Sequence, residues 1–256
     1  MAAKRLVLVA GNIGAGKTSL ADKLGKRVGW HTGFETIDKN PYLGKFYGDM
    51  KAWSFHLQVF LLGQRAEQHL KAYRDPQSYI LDRSIYEDYH IFARALHKLG
   101  NMGDDDLATY ERVYRMIIEY LPWPDLLIFL RAPASELMQR IKIRGRAMES
   151  GITLEYLNLL EGFYDEWLAK FDLCPVLTIP SGDLDFVNRP HHLDIVIQKG
   201  SKSGFPGNKT SSSPKPSVIL RRQLNLSSDW RMRKPKDLQG YIFLGTSSSA
   251  TYLLLT

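Results

Sequence analysis

The chain has 256 residues, 44% hydrophobic and 24% charged, which suits one α/β domain with a full core, or one domain plus an appendage, and leaves no run apolar enough to span a bilayer. Its net charge of +7 sits at one end: residues 1–200 hold 25 basic and 25 acidic side chains, and residues 201–256 hold nine and two, so charge does not make the larger part a nucleic-acid binder. A single cysteine, Cys174, excludes an intrachain disulfide and reads as a small buried hydrophobe; with no signal-peptide core at the start, the expected compartment is the reducing cytoplasm.

Residues 4–10 read as a buried strand and 17–28 as a helix. Between them runs Gly11-Asn12-Ile13-Gly14-Ala15-Gly16-Lys17-Thr18, followed by Ser19. The spacing G-x-x-x-x-G-K-S/T between strand and helix is that of a phosphate-binding loop, whose glycines let backbone N–H groups turn inward around phosphate oxygens. Lys17 supplies a point charge at the β/γ-phosphates, and Thr18 offers a hydroxyl to Mg²⁺. The loop alone says nucleotide, and leaves kinase, ATPase and GTPase open.

Residues 31–47 read as mostly irregular, with a turn at Asn40-Pro41. A helix follows at about 50–73, with Trp53, Leu57, Phe60 and Leu61 as its apolar face. "SYILD" (78–82) is a second buried strand, ending in Asp82-Arg83-Ser84. In an open parallel sheet, ligands bind at the carboxyl ends of the strands, where Asp82 can meet Mg²⁺ or its water shell and Arg83 a phosphate or the acceptor. A surface ion pair is the plainer reading of these two residues.

Helices are expected at about 86–98 and 105–121, a strand at 125–131 and a helix from Pro133 to about Arg146. Arg140 and Arg144 lie four apart on one helix face, and Arg146 follows Gly145. Three guanidiniums beside a glycine hinge suit a lid over transferring phosphates, against the alternative of a solvated basic face. Glu149 breaks the basic run where a substrate hydroxyl needs an acceptor. A helix at 153–171, a strand at 175–180 and a short helix near 189–199 complete the pattern. Alternating strands and helices predict an α/β fold, a doubly wound parallel sheet with helices on both faces. Residues 1–200 form the expected domain. Residues 201–256 are rich in Ser, Gly, Pro and Lys and read as a tail, disordered or altered by a frameshift.

Taken together, "GNIGAGKTS", "FETIDKNPYL", "WSFHLQVFLLGQR", "DRSIYEDYHIF" and "RIKIRGRAMESGI" resemble the deoxyribonucleoside kinase family over about residues 4–198. The resemblance implies a P-loop kinase fold with an arginine-rich lid, ATP as donor with Mg²⁺, a small-molecule deoxyribonucleoside as acceptor, and a homodimer packed through helices. It implies that Glu35 is the base on the 5′-hydroxyl, although Thr36 stands where the family motif has proline. Asp82, Arg83, Arg140, Arg144 and Arg146 match the magnesium-side acid, the phosphate-side arginine and the lid arginines. Tyr47 and Glu149 match the pair holding the sugar 3′-hydroxyl. Gln58 matches the amide that reads the base edge, and Trp53 and Phe92 match apolar lining residues, though core packing explains those two nearly as well. Arg65 and Asp88 match a pair found in relatives that prefer deoxyadenosine, deoxyguanosine or deoxycytidine, and deoxyadenosine is the first expectation.

Three other readings compete. A nucleoside monophosphate kinase of the thymidylate kinase type would need an extra cation for the acceptor's phosphate, which Glu35 would oppose. A nucleic-acid-stimulated P-loop ATPase would rely on the basic tail, for weak binding at most. An inactive P-loop scaffold ranks last, since all the expected catalytic side chains are present.

Overall fold

The computed structural model describes residues 4–34, 40–146, 149–182, 189 and 191–200. Five parallel strands form one sheet in the order β2-β3-β1-β4-β5. They are β1 (Leu6–Gly11), β2 (His31–Gly33), β3 (Tyr79–Asp82), β4 (Leu126–Arg131) and β5 (Val176–Pro180). Because side chains alternate across a strand, β1 sends Leu6, Leu8 and Ala10 into one core and Val7 and Val9 into the other. In β4, Leu127 and Phe129 oppose Leu126, Ile128 and Leu130 in the same way. A strand buried on both faces needs an unbroken apolar run, which is why "LVLVA" and "LLIFL" are legible as central strands.

One core is closed by α1 (Lys17–Val28), α7 (Ala134–Arg144) and α9 (His191–Gly200), through residues such as Leu20, Leu137 and Val196. The other is closed chiefly by α3 (Met50–Arg74), α6 (Asp104–Tyr120) and α8 (Leu154–Lys170), through Leu62, Tyr110, Tyr114 and Tyr164. Asp49 caps α3 by accepting from Ala52 N (3.0 Å), and Thr153 caps α8 by accepting from Tyr156 N (3.2 Å). This is the doubly wound sheet expected from the sequence. No helix among the described residues is long and apolar enough to cross a membrane.

Four local expectations need correction. The segment 31–47, read as mostly irregular, contains the short strand β2 and a short helix, α2 (Leu43–Gly48), with residues 35–39 outside the described residues. Of the apolar face expected on α3, only Leu57 is buried; the buried stripe is Ser54, Leu57, Gln58, Leu62, Arg65, His69 and Ala72. Polar side chains can turn inward beside Leu62 and Ala72 of the core because they find partners there: Ser54 the Met50 carbonyl, His69 the Pro122 carbonyl and Arg65 the Asp88 carboxylate. The helix expected at 86–98 is a short helix, α4 (Ile85–Glu87), a π-helical stretch (Asp88–Ala93) and α5 (Arg94–Lys98). Helix α7 stops at Arg144, because Gly145 turns left-handed at φ 64°.

Within the π-helical stretch, His90 stacks on Trp167 (6.4 Å) and meets Tyr114 edge-on (5.7 Å). Burial, then the cations Arg94 and Arg115, push its pKa down to about 4, with Glu111 opposing and Lys170 adding to the fall. The unfolded chain therefore takes up this proton first, at its ordinary value of 6.5. Stability is complete above that value and falls as pH drops through the window between 6.5 and about 4. A His90→Phe chain is expected to lose less of its melting temperature between pH 7 and 4.5 than the wild type; parallel curves would exclude His90 as the cause.

Candidate active site

The loop after β1 takes a shape that its glycines permit. Gly11 lies at φ 146°, and a Cβ there would meet the Leu130 carbonyl oxygen at 2.6 Å. Gly16, at φ 93°, turns the chain into α1. Lys17 is buried, and its Nζ donates to the carbonyls of Gly11 (2.7 Å) and Asn12 (2.8 Å). Ala15 N also donates to the Asn12 carbonyl, at 3.2 Å. The Asn12 side chain is structural: Nδ2 donates to Leu157 O (2.9 Å) and Oδ1 accepts from Ile13 N (2.8 Å), pinning the loop to α8. Thr18 is exposed, and Ser19 is partly buried, in the first turn of α1.

Asp82 ends β3 opposite Val9 of β1, so the register brings it to the loop. Thr18 Oγ1 donates to Asp82 Oδ2 at 2.5 Å, while Asp82 Oδ1 is buried with no protein hydrogen bond. An acceptor-only oxygen and a hydroxyl side by side fit a hard cation with its water shell. Arg83 is the one non-glycine residue at positive φ among the described residues, at 79°. That conformation costs an arginine roughly 1–2 kcal/mol. It is held by Arg83 N donating to Val9 O (2.9 Å) and by the guanidinium lying over the Phe92 ring (4.7 Å).

Across the cleft, Gln58 and Arg65 share the inner face of α3, two turns apart. Arg65 forms a buried ion pair with Asp88 Oδ1. Gln58 Oε1 and Asp88 Oδ2 are buried acceptors with no hydrogen-bond partner. Trp53 is only partly buried, against His56 (5.1 Å) and under the Lys45 ammonium (4.5 Å).

The lid arginines divide. Arg144 makes a two-pronged ion pair with Glu149 (2.7 and 3.0 Å), and Arg146 approaches the same carboxylate at 3.6 Å. Arg140 instead binds Glu136 (2.6 Å) and the Ser181 carbonyl (2.6 Å), at the end of β5. Tyr47 is half-exposed, and burial together with the Glu149 charge raises its hydroxyl pKa. Glu35 lies outside the described residues.

Three further residues belong here, of which only Glu87, three after Ser84 in the spacing of a capping box, had a signal in the sequence. Tyr156, at the start of α8, lies within electrostatic range of Arg83 and Tyr47, and burial pushes its pKa up to about 12, so its hydroxyl stays protonated. Glu87 and Tyr164 lie beneath the loop and the Arg83 turn. That Glu87 also reaches Gly11 and Tyr164 appears only once α4 and α8 pack beneath the strands. A separate surface cavity of about 490 Å³, lined by Arg94, His97, Lys98, Leu107, Phe163 and Glu166 among others, shares no residue with this cleft.

Residues 7–203 match the family model for deoxynucleoside kinases. The chain is 36% identical over 196 residues to a deoxyadenosine/deoxycytidine kinase of Bacillus subtilis, covering 76% of this chain and 90% of that protein. It is 38% identical over 174 residues to a deoxyadenosine kinase of Dictyostelium discoideum, covering 68% of this chain and 71% of the other. Among solved structures, the deoxyadenosine kinase of M. mycoides with bound dATP superposes with a TM-score of 0.67 at 26% identity, over 77% of this chain and 99% of that one. The match spans the phosphate loop, the Asp82-Arg83 turn, the cleft of α3 and the lid, and the chain belongs to the deoxynucleoside kinase family, which transfers a phosphoryl group from ATP to a deoxynucleoside.

Proposed function

We propose that the acceptor is the 5′-hydroxyl of a deoxynucleoside whose base carries an exocyclic amine, with deoxyadenosine preferred and deoxyguanosine and deoxycytidine as the alternatives. The supporting observation is the pair of buried acceptors without partners, Gln58 Oε1 and Asp88 Oδ2, beside the Arg65 guanidinium. A buried acceptor is costly until a donor reaches it, and an adenine or cytosine amino group supplies one. Thymine offers a carbonyl and a methyl group at the corresponding edge, and the ion pair would crowd that methyl. The named substrates of the similar proteins, deoxyadenosine and deoxycytidine among them, agree with this reading.

In this mechanism Glu35 accepts the 5′-hydroxyl proton, the 5′-oxygen bonds to the γ-phosphorus of ATP, and the bond to the β–γ bridging oxygen breaks. Lys17, Arg83, Arg140, Arg144 and Arg146 neutralise the moving charge. Tyr47 and Glu149 take the sugar 3′-hydroxyl and disfavour a 2′-hydroxyl. Thr18 and Asp82 would hold Mg²⁺, which would screen the donor phosphates.

We further infer a homodimer, supported by the exposed apolar side chains Tyr73 on α3, Met116 and Tyr120 on α6, and Trp123 beyond it; a monomer in sedimentation at working concentration would remove this part. The inferred compartment is the cytoplasm. Residues 1–200 are the proposed kinase domain, and residues 201–256, outside the described residues, a basic tail with weak polyanion affinity at most.

The deciding assay offers ATP and each of the four natural deoxynucleosides to the full chain. Deoxyadenosine should give its 5′-monophosphate, adenosine should be poorer, and Glu35→Gln should lower kcat by about 100- to 10,000-fold. Thymidine as the best substrate, or an unaffected Glu35→Gln chain, would overturn the reading.

A further inference from the structure

Glu87 has no role in the mechanism above, yet its side chain is wholly buried and fully engaged. Its Oε2 accepts from Ser84 N at 2.6 Å. Its Oε1 accepts from Gly11 N at 3.2 Å and faces the Tyr164 hydroxyl at 2.6 Å. That hydroxyl also lies 2.8 Å from the Gly11 carbonyl. Burial and the Glu87 charge raise the Tyr164 pKa well above its ordinary value, so the phenol stays a donor.

Part of this is an ordinary capping box, in which Glu87 closes the first turn of α4 onto Ser84. A capping glutamate needs only the Ser84 contact and is usually solvated. This one reaches across to the next strand as well. Gly11 opens the phosphate loop, and Ser84 follows Arg83, whose backbone is in the left-handed region. A single carboxylate therefore joins the backbone that holds the donor phosphates to the backbone that aims the arginine between donor and acceptor.

We infer that Glu87 is a positioning residue that fixes Arg83 relative to the phosphate loop, and so sets the spacing for phosphoryl transfer; the inference rests on the transfer reaction proposed above. The chemistry demands a carboxylate. Both oxygens receive a backbone N–H, so the amide of Glu87→Gln must turn its NH₂ against either Ser84 N–H or Gly11 N–H. Tyr164→Phe removes one donor and leaves both backbone contacts.

The test is a double-mutant cycle in the full chain, reading kcat and both KM values for ATP and the best deoxynucleoside, with melting temperature and ATP affinity as controls. Glu87→Gln is expected to lower kcat about 100-fold, as a displacement of about 1 Å does, while each KM stays within about threefold. In an Arg83→Gly background, where the backbone needs no restraint and the guanidinium is gone, the same change should cost less than about threefold. An equal loss in both backgrounds, or a loss that tracks ATP affinity, would overturn the inference and leave Glu87 a helix cap. If Glu87→Gln does not fold, Tyr164→Phe runs the same cycle: a several-fold kcat loss that vanishes with Arg83→Gly supports the inference, and an additive or absent loss overturns it. If the wild-type chain phosphorylates no deoxynucleoside, the acceptor reading fails separately, and the cycle is read on ATP hydrolysis with the same two outcomes.

Discussion

A Lys17→Met chain is expected to remain folded and to lose about 100- to 1,000-fold in kcat, the cost of removing one donor preorganised for transition-state charge. Methionine matches the length of the lysine stem and fills its buried position. The carbonyls that lose the ammonium are not stranded. Gly11 O keeps the Tyr164 hydroxyl at 2.8 Å, and Asn12 O keeps Ala15 N at 3.2 Å. The loss should therefore fall on chemistry rather than on folding. Steady-state kcat and a thermal melt, each with and without ATP, separate the two. Wild-type turnover would remove the loop from the transfer step, and collapse of the melt would make Lys17 a structural residue.

Asp88→Ala is expected to have the largest effect on stability. It takes the carboxylate from a buried guanidinium, Arg65, which is 6% exposed. Breaking a buried ion pair from one side costs about 3–5 kcal/mol, a fall in Tm of roughly 6–20 °C for a chain of this size. Replacing both partners, Arg65→Met with Asp88→Ala, should recover much of that loss, because neither charge then remains in the core. On the acceptor reading proposed above, both changes should also shift selectivity toward thymidine, since no ion pair would then crowd its methyl group. Differential scanning calorimetry with competition assays among deoxynucleosides reads both effects. A double variant less stable than Asp88→Ala alone would show that the pair is more than mutual neutralisation.

The parts of this molecule written in short-range pattern were legible in the sequence. The buried strands are continuous apolar runs, and the phosphate loop is a fixed spacing between a strand and a helix. The inner face of α3 was misread because hydrophobic periodicity assumes that a buried face is apolar. Gln58, Arg65 and His69 turn inward, and Trp53 is left partly exposed. Strand β2 was missed because three residues, His31–Gly33, are too few for a period of two to register. Helix α2 was hidden by Gly44, Gly48 and the Asn40-Pro41 turn. The lid motif was visible, but not that Arg140 would bind Glu136 and the end of β5 while Arg144 and Arg146 bind Glu149. Glu87 and Tyr156 owe their importance to residues far away in the chain, which no local window contains.

Because residues 88–93 wind as a π-helix, hydrogen bonds there reach back five residues instead of four, and the wall of the cleft holds more chain than a regular helix of the same height. Asp88 and Phe92, one paired with Arg65 and the other under Arg83, both lie within that stretch. A chain shortened by one residue there has a ready alternative in ordinary α-helix, with the Ser84 cap before it and α5 after it still able to form. Such a deletion would re-aim Phe92 relative to Asp88 without altering a residue of the phosphate loop or the lid. On the proposed role of Asp88 and Phe92 at the acceptor, substrate range would then drift through insertions and deletions at a single helical turn, by a route separate from any exchange of side chains.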